Sequence, residues 1–599
     1  MRIPLVDDYF IQAVAKGVVF VVKSSYILSN VVGGGLGALK GGLEGAGMKL
    51  PAFRSNHGGQ TVLNDRLAFV PGSPYNTFDG PGFPACHEVA KVYEPTTVDE
   101  VVEIVKTAAK EGTPIRASGK GHMWSVDFDF DYIYVSYDYP ACARYDTMCT
   151  DDPRTIIVHT EAVNQIYDLV LENGVGSVTV EAGVTFTQLA EWLHERGASI
   201  GYTLVNWNIT IAGAIATGSH RSSLGEDSQV SSAALALDIV NGKGDLVHLD
   251  KDQSNDTWLA AATSLGLLGI IARVKFAVLA DFKVYANQTI LDEDEVLNSD
   301  IYAQISPYVT ANYWWWPGLK KFHLRTYNVV PVETEGNAFQ STFSLTPLEG
   351  KAALRLLNAG QDFSTPNFLA EKIFYDLWSM PNFHGKDFRL GYIHDPKLNS
   401  GKDKPTDRQL LSWPVYGWAY DVLIGGLYPN QLPEWEYDLH GKTLELAVPV
   451  TQANALLKRI RELFDEAKAA GKPVTSTYRS GINIKFGKPF DSFLGQTTER
   501  IGEVKADWSK GAIMFDFPSF LPTKGDHHRY NEEFYEKLAH VIIDEFPARP
   551  HWTKNTRQVF TRALKNLDKD SLQRFAKIRK EFDPKNLFKN VVAEIIDVV

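Results

Sequence analysis

Arg116-Ala117-Ser118-Gly119-Lys120-Gly121-His122-Met123-Trp124-Ser125 closes a short apolar run with two glycines around a lysine and a histidine directly after them. Glycine has no Cβ, so its backbone N–H can come close to a ligand, and successive N–H groups in a tight loop form a nest for an anion. The imidazole of His122 stands at the end of that nest as a nucleophile. One loop thereby holds the elements of a phosphate cradle and of a covalent anchor. A glycine-rich corner with a surface histidine reads the same way, so the flanking segments must decide.

Upstream, Thr97 and Glu100 form a capping box ahead of Val98, Val101, Val102, Val105 and Ala108, an apolar face at helical spacing that stops at Gly112. Glu88 to Tyr93 reads as a strand, and Thr113 to Ala117 as a second one that delivers the loop at its carboxyl end. Open α/β sheets bind ligands outside that end. Downstream, Ser177 to Ala182 starts the plan again with a strand, a Thr185/Gln188 capping box and a helix closing at Gly197. Ser232 to Leu249 reads as a hairpin turning at Asn241-Gly242, and Leu268 to Leu279 as a further strand.

Beyond residue 280 the pattern changes. Ala311 to Trp316, Lys321 to Val330, Val474 to Phe486 and Ala512 to Phe517 read as strands of an antiparallel sheet. Helices are expected over Phe368 to Trp378, within Ala447 to Gly471, and from Tyr530 to Glu545. The division expected is an N-terminal arm over 1–80, a first domain over 81–280, a second over 281–545, and a return to the first over 546–599. Clefts between domains are where ligand sites form.

The 599 residues exceed one ordinary core, and 44% hydrophobic with 22% charged residues is a globular composition. A net charge of −12 excludes the basic footprint of a nucleic-acid binder. Cys86, Cys142 and Cys149 form no Cys-x-x-Cys pair, which argues against a disulfide scaffold and points to a reducing compartment. His527 and His528 are adjacent, so their side chains diverge, and no metal site is expected. Asp7 and Asp8 stand where a secretory leader is basic, and Lys16 and Lys23 interrupt the apolar run Ala13 to Val22, so the chain is expected to be intracellular. Residues 1–50 suit an arm on the body, a membrane-surface helix or an oligomer contact. Gly33 to Ala38 imitates a dinucleotide fingerprint without the strand–helix–strand unit that such a motif needs.

Further segments share one pattern: Val178 to Thr185, Ile211 to His220, Ala236 to Val240, Ser264 to Ile271, Arg549-Pro550-His551-Trp552-Thr553-Lys554, and Phe582 to Phe588. With the glycine loop they resemble the vanillyl-alcohol oxidase/p-cresol methylhydroxylase (PCMH) superfamily of FAD enzymes, nearest its aldonolactone and alditol oxidase branch. The resemblance is firm over about 85–280 and 545–590. It implies an α+β, two-domain flavoprotein, with a PCMH-type α/β FAD-binding domain and an antiparallel-sheet cap that binds substrate. Arg116, Ser118, Gly119, Lys120, Gly121, His122, Met123 and Ser125 would then hold FAD, with His122 bonded to the flavin 8α-methyl group. Some relatives add a cysteine thioether, but Thr203 to Ile211 holds no cysteine, so a monocovalent flavin is expected. Gly183, Gly213, Thr217, Gly218 and His220 would line the adenosine and diphosphate, with His220 as a cofactor contact only. Gly269 and Ile271 would do the same, or form an ordinary core turn.

The resemblance assigns Lys554 a second cofactor role. A fixed ammonium near flavin N1 and the C2 carbonyl stabilises the negative charge that arrives there with the hydride. A solvated lysine on a surface turn is the alternative. His551 and Trp552 would shape the pocket around it. The branch's Glu-x-Arg pair, which orients and deprotonates the substrate hydroxyl, falls on Gly481 to Phe486. There Asn483 and Lys485 share one side of a strand instead. An amide is no general base, so the substrate is already acidic or another base serves. Tyr478, Arg479 and Tyr313-Trp314-Trp315-Trp316 suit either a pocket wall or plain core.

The expected function is oxidation of a C–OH group in a sugar lactone, polyol or other alcohol, by hydride transfer to the flavin. Oxygen would be the electron acceptor and hydrogen peroxide the product. A dehydrogenase that passes the electrons elsewhere, a phenol oxidase or oxidative cyclase, and a catalytically silent flavin-binding protein are the alternatives.

Overall fold

The computed structural model describes residues 61–63, 66–68, 90–119, 152, 154–201, 209–335, 375, 414–423, 441–471, 481–520 and 532–597. The strands are β1 (Thr61–Leu63) and β2 (Arg66–Ala68), which pair with each other, then β3 (Lys91–Tyr93), β4 (Ile115–Ser118) and β5 (Ile156–His159). The last three form a parallel sheet in the order β3-β5-β4. The helix Val98–Glu111 joins β3 to β4. Thr97 Oγ1 accepts the Glu100 N–H at 3.2 Å, and Gly112 ends the helix at φ +69°, a left-handed conformation that suits glycine. Its buried face, Val98, Val101, Val105 and Ala108, packs with Leu587 and Phe588 of the C-terminal tail.

A six-stranded sheet follows: β6 (Ile166–Glu172), β7 (Val175–Glu181), β8 (Ala198–Ser199), β9 (Ala234–Val240), β10 (Leu246–Asp250) and β11 (Ile270–Ala280). Its order is β10-β9-β11-β7-β6, with β8 against β11, and every pairing is antiparallel. The Thr185/Gln188 box caps the helix Phe186–His194 as the spacing predicts. The β9–β10 connection is longer than the two-residue turn expected at Asn241-Gly242. Asn241 Oδ1 accepts the N–H groups of Lys243 at 2.9 Å and Asp245 at 3.0 Å and so holds a wider loop.

β11 ends at Ala280, and β12 (Lys283–Asp292) opens an eight-stranded sheet with β13 (Thr310–Trp316), β14 (Lys321–Val330), β15 (Val415–Trp418), β16 (Gly441–Pro449), β17 (Ile482–Gly487), β18 (Ala512–Phe520) and β19 (Arg549–Pro550). The order is β15-β12-β14-β13-β17-β18-β16-β19, antiparallel throughout. Strand alternation gives the sheet two unlike faces. Tyr313, Trp315, Leu446, Val448, Ile482, Ile484, Phe486, Phe515 and Phe517 pack with the helices Ala453–Ala469 and Glu532–Glu545. Each such side chain, fully buried, contributes about 1.5–3 kcal/mol. The residues between them, Trp314, Asn483, Lys485, Asp516 and Glu445, therefore share the opposite face. The Tyr313–Trp316 run thus alternates, with Tyr313 and Trp315 in the core and Trp314 and Trp316 on the opposite face.

Two differences from the sequence reading stand out. β12, β15 and β16 were not expected; the helix placed within Ala447 to Gly471 is there, over Ala453–Ala469, and Pro449 ends β16 just before it. The tail does not simply return over 546–599. Arg549–Pro550 is an edge of the eight-stranded sheet, and only later do Trp552, Phe560 and the helices Lys569–Phe582 and Val591–Ile596 join the core of the six-stranded one. The expected strand Val474 to Phe486 is described only from Ile482, and the helix expected at Phe368 to Trp378 lies outside the described residues save Tyr375, which is helical. Residues 1–50 lie outside them too. Among the described residues no helix is long and apolar enough to cross a membrane.

Candidate active site

At the carboxyl end of β4 the chain passes against another segment with no room to spare. A Cβ on Gly119 would lie 2.4 Å from Thr210 Oγ1, and one on Gly213 would lie 2.8 Å from the same atom. Thr210 caps the short helix Ile211–Ala216 by accepting the Gly213 N–H at 3.3 Å. Only glycine backbone fits here, and beside it the buried Ser118 Oγ has no hydrogen-bond partner among the described residues. A backbone cradle with an unspent hydroxyl fits a diphosphate, so the residues present accommodate FAD. Arg116 is buried on β4 opposite Ile157. Lys120, Gly121, His122, Met123 and Ser125 lie outside the described residues, as do Tyr478 and Arg479.

Several other expected cofactor residues have a packing reason for their identity. A Cβ on Gly183 would lie 2.3 Å from Thr160 O. Gly269 sits at φ +130°, with Val240 O 2.1 Å from the Cβ position, and Ile271 is buried in β11 against Ile239. Thr217 Oγ1 donates to Gly213 O at 2.9 Å, and Gly218 turns the chain at φ +68°. That turn carries the chain toward the cap sheet. Ser223 N–H donates to Phe486 O at 2.8 Å and Phe486 N–H to Ser222 Oγ at 3.0 Å, so the segment from His220 to Ser223 is stitched to β17.

The polar face of the eight-stranded sheet is where the remaining expected residues meet. The register puts Trp314 beside Asn483, Asn483 beside Asp516, and Asp516 beside Glu445, one row across four strands. Lys485 is two residues along β17 from Asn483 and on the same side. The turn after β19 wraps around Glu445: its carbonyl accepts the His551 N–H at 3.0 Å and Asn555 Nδ2 at 2.8 Å. Lys554 is thereby aimed back across the row. Its Nζ donates to Glu445 Oε2 at 2.7 Å and to Asp516 Oδ2 at 2.8 Å. Lys485 Nζ stands 3.7 Å from both of the same oxygens. Two ammoniums and two carboxylates form one four-membered cluster.

His220 closes the cluster from the other domain. Its Nε2 makes a short hydrogen bond with Glu445 Oε1, and its Nδ1 faces Arg221 O at 3.2 Å. His220 was expected to contact cofactor only. Instead it reaches the cap's buried acid, because the stitched segment after Gly218 brings it there. His551, whose ring centroid is 5.6 Å from that of His220, accepts at Nδ1 from Thr553 Oγ1 at 3.0 Å. Trp552 is core rather than pocket wall: it stacks on Phe560 and donates Nε1 to Leu494 O at 2.8 Å.

The charges follow from these contacts. Burial alone would raise the Glu445 carboxyl, but Lys554, Lys485 and the two imidazoles outweigh it and hold the group well below the usual carboxylate range. Burial works against the Lys554 ammonium too, yet Asp516 and Glu445 prevail and keep it above its ordinary value. Lys485 is pushed below its ordinary value by burial and by Lys554, with both carboxylates limiting the drop. Burial pushes the His551 imidazole well below its usual value, so that ring is neutral.

Glu445 and Asp516 were missed in the sequence, although each is a lone acid in an apolar strand, Leu444-Glu445-Leu446 and Phe515-Asp516-Phe517, which was a legible signal. The ligand atoms of His220, Glu445 and His551 lie within 4.8 Å of one another, a donor set that a metal could use. Lys554 already occupies Glu445 Oε2, and His220 occupies Oε1, so a divalent ion would meet an ammonium beside a carboxylate already spent. The trio is better described as a hydrogen-bonded network.

Comparison with known proteins is consistent along the chain. A family model described as "FAD binding domain" matches residues 89–250, and one described as "D-arabinono-1,4-lactone oxidase" matches residues 439–596. L-gulonolactone oxidase 5 of Arabidopsis thaliana is 23% identical over 519 residues, 83% of this chain and 79% of the relative. The D-arabinono-1,4-lactone oxidase of Kluyveromyces lactis is 32% identical over 230 residues, 38% of this chain and 39% of the relative. Among solved structures, cholesterol oxidase from B. sterolicum superposes with a TM-score of 0.58 at 15% identity, over 84% of this chain and 93% of that one. A chitooligosaccharide oxidase gives 0.53 at 13% identity, over 87% and 93%. These two likenesses show the fold.

Proposed function

The chain is a flavoprotein of the vanillyl-alcohol oxidase/p-cresol methylhydroxylase superfamily near the aldonolactone oxidases, an FAD-dependent oxidase of CH–OH donors, and we propose that its substrate is a hydroxyl-rich sugar lactone or polyol. The observation that carries this is the polar face of the cap sheet. Asn483 Oδ1 is buried without a hydrogen-bond partner among the described residues, in the same row as Asp516 and Glu445. Burying an unpaired amide oxygen costs about 1–3 kcal/mol, which a substrate hydroxyl donating to it would recover. A substrate whose single hydroxyl is engaged in the reaction would leave that cost in place, whereas a polyhydroxylated one has a second hydroxyl to donate.

FAD, when bound, would supply a hydride acceptor, with oxygen as the final acceptor of the electron pair and hydrogen peroxide as the product. Arg116, Ser118 and Gly119 at the β4 end, with Gly213, Thr217 and Gly218, would hold it, and Lys120 and Gly121 are the further expected contacts. His122 would tie it covalently, as the single attachment, and Met123 and Ser125 would be further contacts. Residues 81–280 with the later tail form the FAD-binding domain, and 281–545 with Arg549–Pro550 form the cap. Lys554 presents a permanent ammonium where negative charge develops, which is the arrangement that lowers a barrier most. The intact ion-pair cluster favours a working enzyme over a silent flavin binder.

Acid precipitation of the purified protein tests the anchor: yellow flavin stays with the polypeptide, and His122→Ala releases it to the supernatant. Wild-type flavin in the supernatant removes the covalent claim. Peroxide release over sugar lactones, alditols, phenols and sterols tests the substrate class, and turnover of phenols or sterols alone would overturn it.

A further inference from the structure

We infer that Asp516 is the general base that takes the substrate's hydroxyl proton. The inference rests on the reading of the site as one that oxidises a C–OH carbon. The β17 pair, Asn483 and Lys485, faces the site but offers an amide and an ammonium. An amide does not accept a proton at neutral pH. Lys485 is bracketed by two carboxylates at 3.7 Å, which favour its ammonium over the free amine. The two imidazoles are engaged as well. His220 bonds Glu445 and Arg221 O, and the His551 Nδ1 lone pair points at Thr553.

That leaves the two acids, and they differ in position. The Glu445 side chain is 1% exposed, with one oxygen on His220 and the other on Lys554. The side chains of Asp516 and Lys554 are 13% and 15% exposed, the open edge of the same cluster. Asp516 Oδ2 is 2.8 Å from Lys554 Nζ. Glu445 therefore positions Lys554 and Lys485 from behind, while Asp516 stands where a substrate hydroxyl can reach it.

In the step, the substrate O–H bond breaks and its proton passes to the Asp516 carboxylate. The C–H bond breaks with its electron pair leaving as hydride for the flavin, and the carbon–oxygen double bond forms. Protonating Asp516 removes one of Lys554's two anionic partners and so would leave that ammonium available to the negative charge of a reduced flavin. The proton is returned when oxygen takes up the electron pair as hydrogen peroxide.

The test is anaerobic flavin reduction by D-arabinono-1,4-lactone and L-gulono-1,4-lactone in wild type, Asp516→Asn and Asp516→Ala. General-base removal predicts a rate lower by about 10²–10⁴-fold. Formate should restore part of the rate to Asp516→Ala, which a merely structural role would not allow. Infrared difference spectra of the wild type on reduction should show a new protonated-carboxyl band that shifts with ¹³C-labelled aspartate and is absent in Asp516→Asn. Reduction of Asp516→Asn within tenfold of wild type would overturn the assignment. If the variants lose flavin, the labelled wild-type spectrum decides, and a spectrum without that band overturns it. Failure of any lactone or polyol to reduce the wild type would instead sink the substrate reading above.

Discussion

Glu445→Gln changes one atom's identity at the centre of the cluster and removes a full charge. The glutamine keeps the shape of the side chain, but Lys554 and Lys485 are left to share Asp516, and His220 loses its anionic partner. At an effective dielectric of about 20, a charge pair at the 2.7 Å of Lys554 and Glu445 attracts by about 6 kcal/mol. The cost of dehydrating both ions cancels much of that. Removing one partner of a buried pair nevertheless strands the other, and such losses run at about 3–5 kcal/mol. The expected result at pH 7 is a shift of that size in denaturant unfolding followed by the cap-domain tryptophans. The pH dependence gives a second, sharper check. Glu445 has a folded value below its unfolded one of about 4.3, so its contribution is fully present above the unfolded value and is lost as pH falls toward the folded one. The gap between wild type and variant should therefore be constant from pH 7 to 5 and close below about 4.3. A gap under about 1 kcal/mol at pH 7, the size of an exposed pair, would refute the buried cluster. So would a gap that does not close in acid.

Lys554→Met should slow anaerobic flavin reduction by about 10²–10³-fold, the usual loss on deleting a charge-stabilising group, and should leave Glu445 and Asp516 short of a counter-charge. Unchanged reduction would remove its role. Gly119→Ala places a methyl 2.4 Å from the capped and buried Thr210 Oγ1, so flavin content should fall and stability should drop by about 1–3 kcal/mol. Full flavin loading in that variant would mean the cradle is roomier than described.

Much of the fold was legible in the letters because it rests on local rules. The Thr185/Gln188 box, the helix ending at Gly112 and the alternation of β13 and β14 depend on residues within a few positions of one another. Gly119 was likewise readable, since close backbone approach demands glycine wherever the chain goes. β16 was not read, because Leu446-Ala447-Val448 runs without a break toward the amphipathic helix after Pro449, and a short apolar run does not declare its period.

What tertiary structure alone decided is which polar residues meet. Lys554 and Glu445 are 109 positions apart, and His220 and Glu445 are 225 apart. Their contact depends on the register of β16 against β18 and on the stitch between Ser223 and Phe486, and one residue of slip would turn Glu445 or Asp516 to the apolar face. A sequence shows that Asn483-x-Lys485 lacks a base. The sheet supplies the missing acids, because a strand's pairing, unlike its alternation, is chosen by the whole core packed behind it.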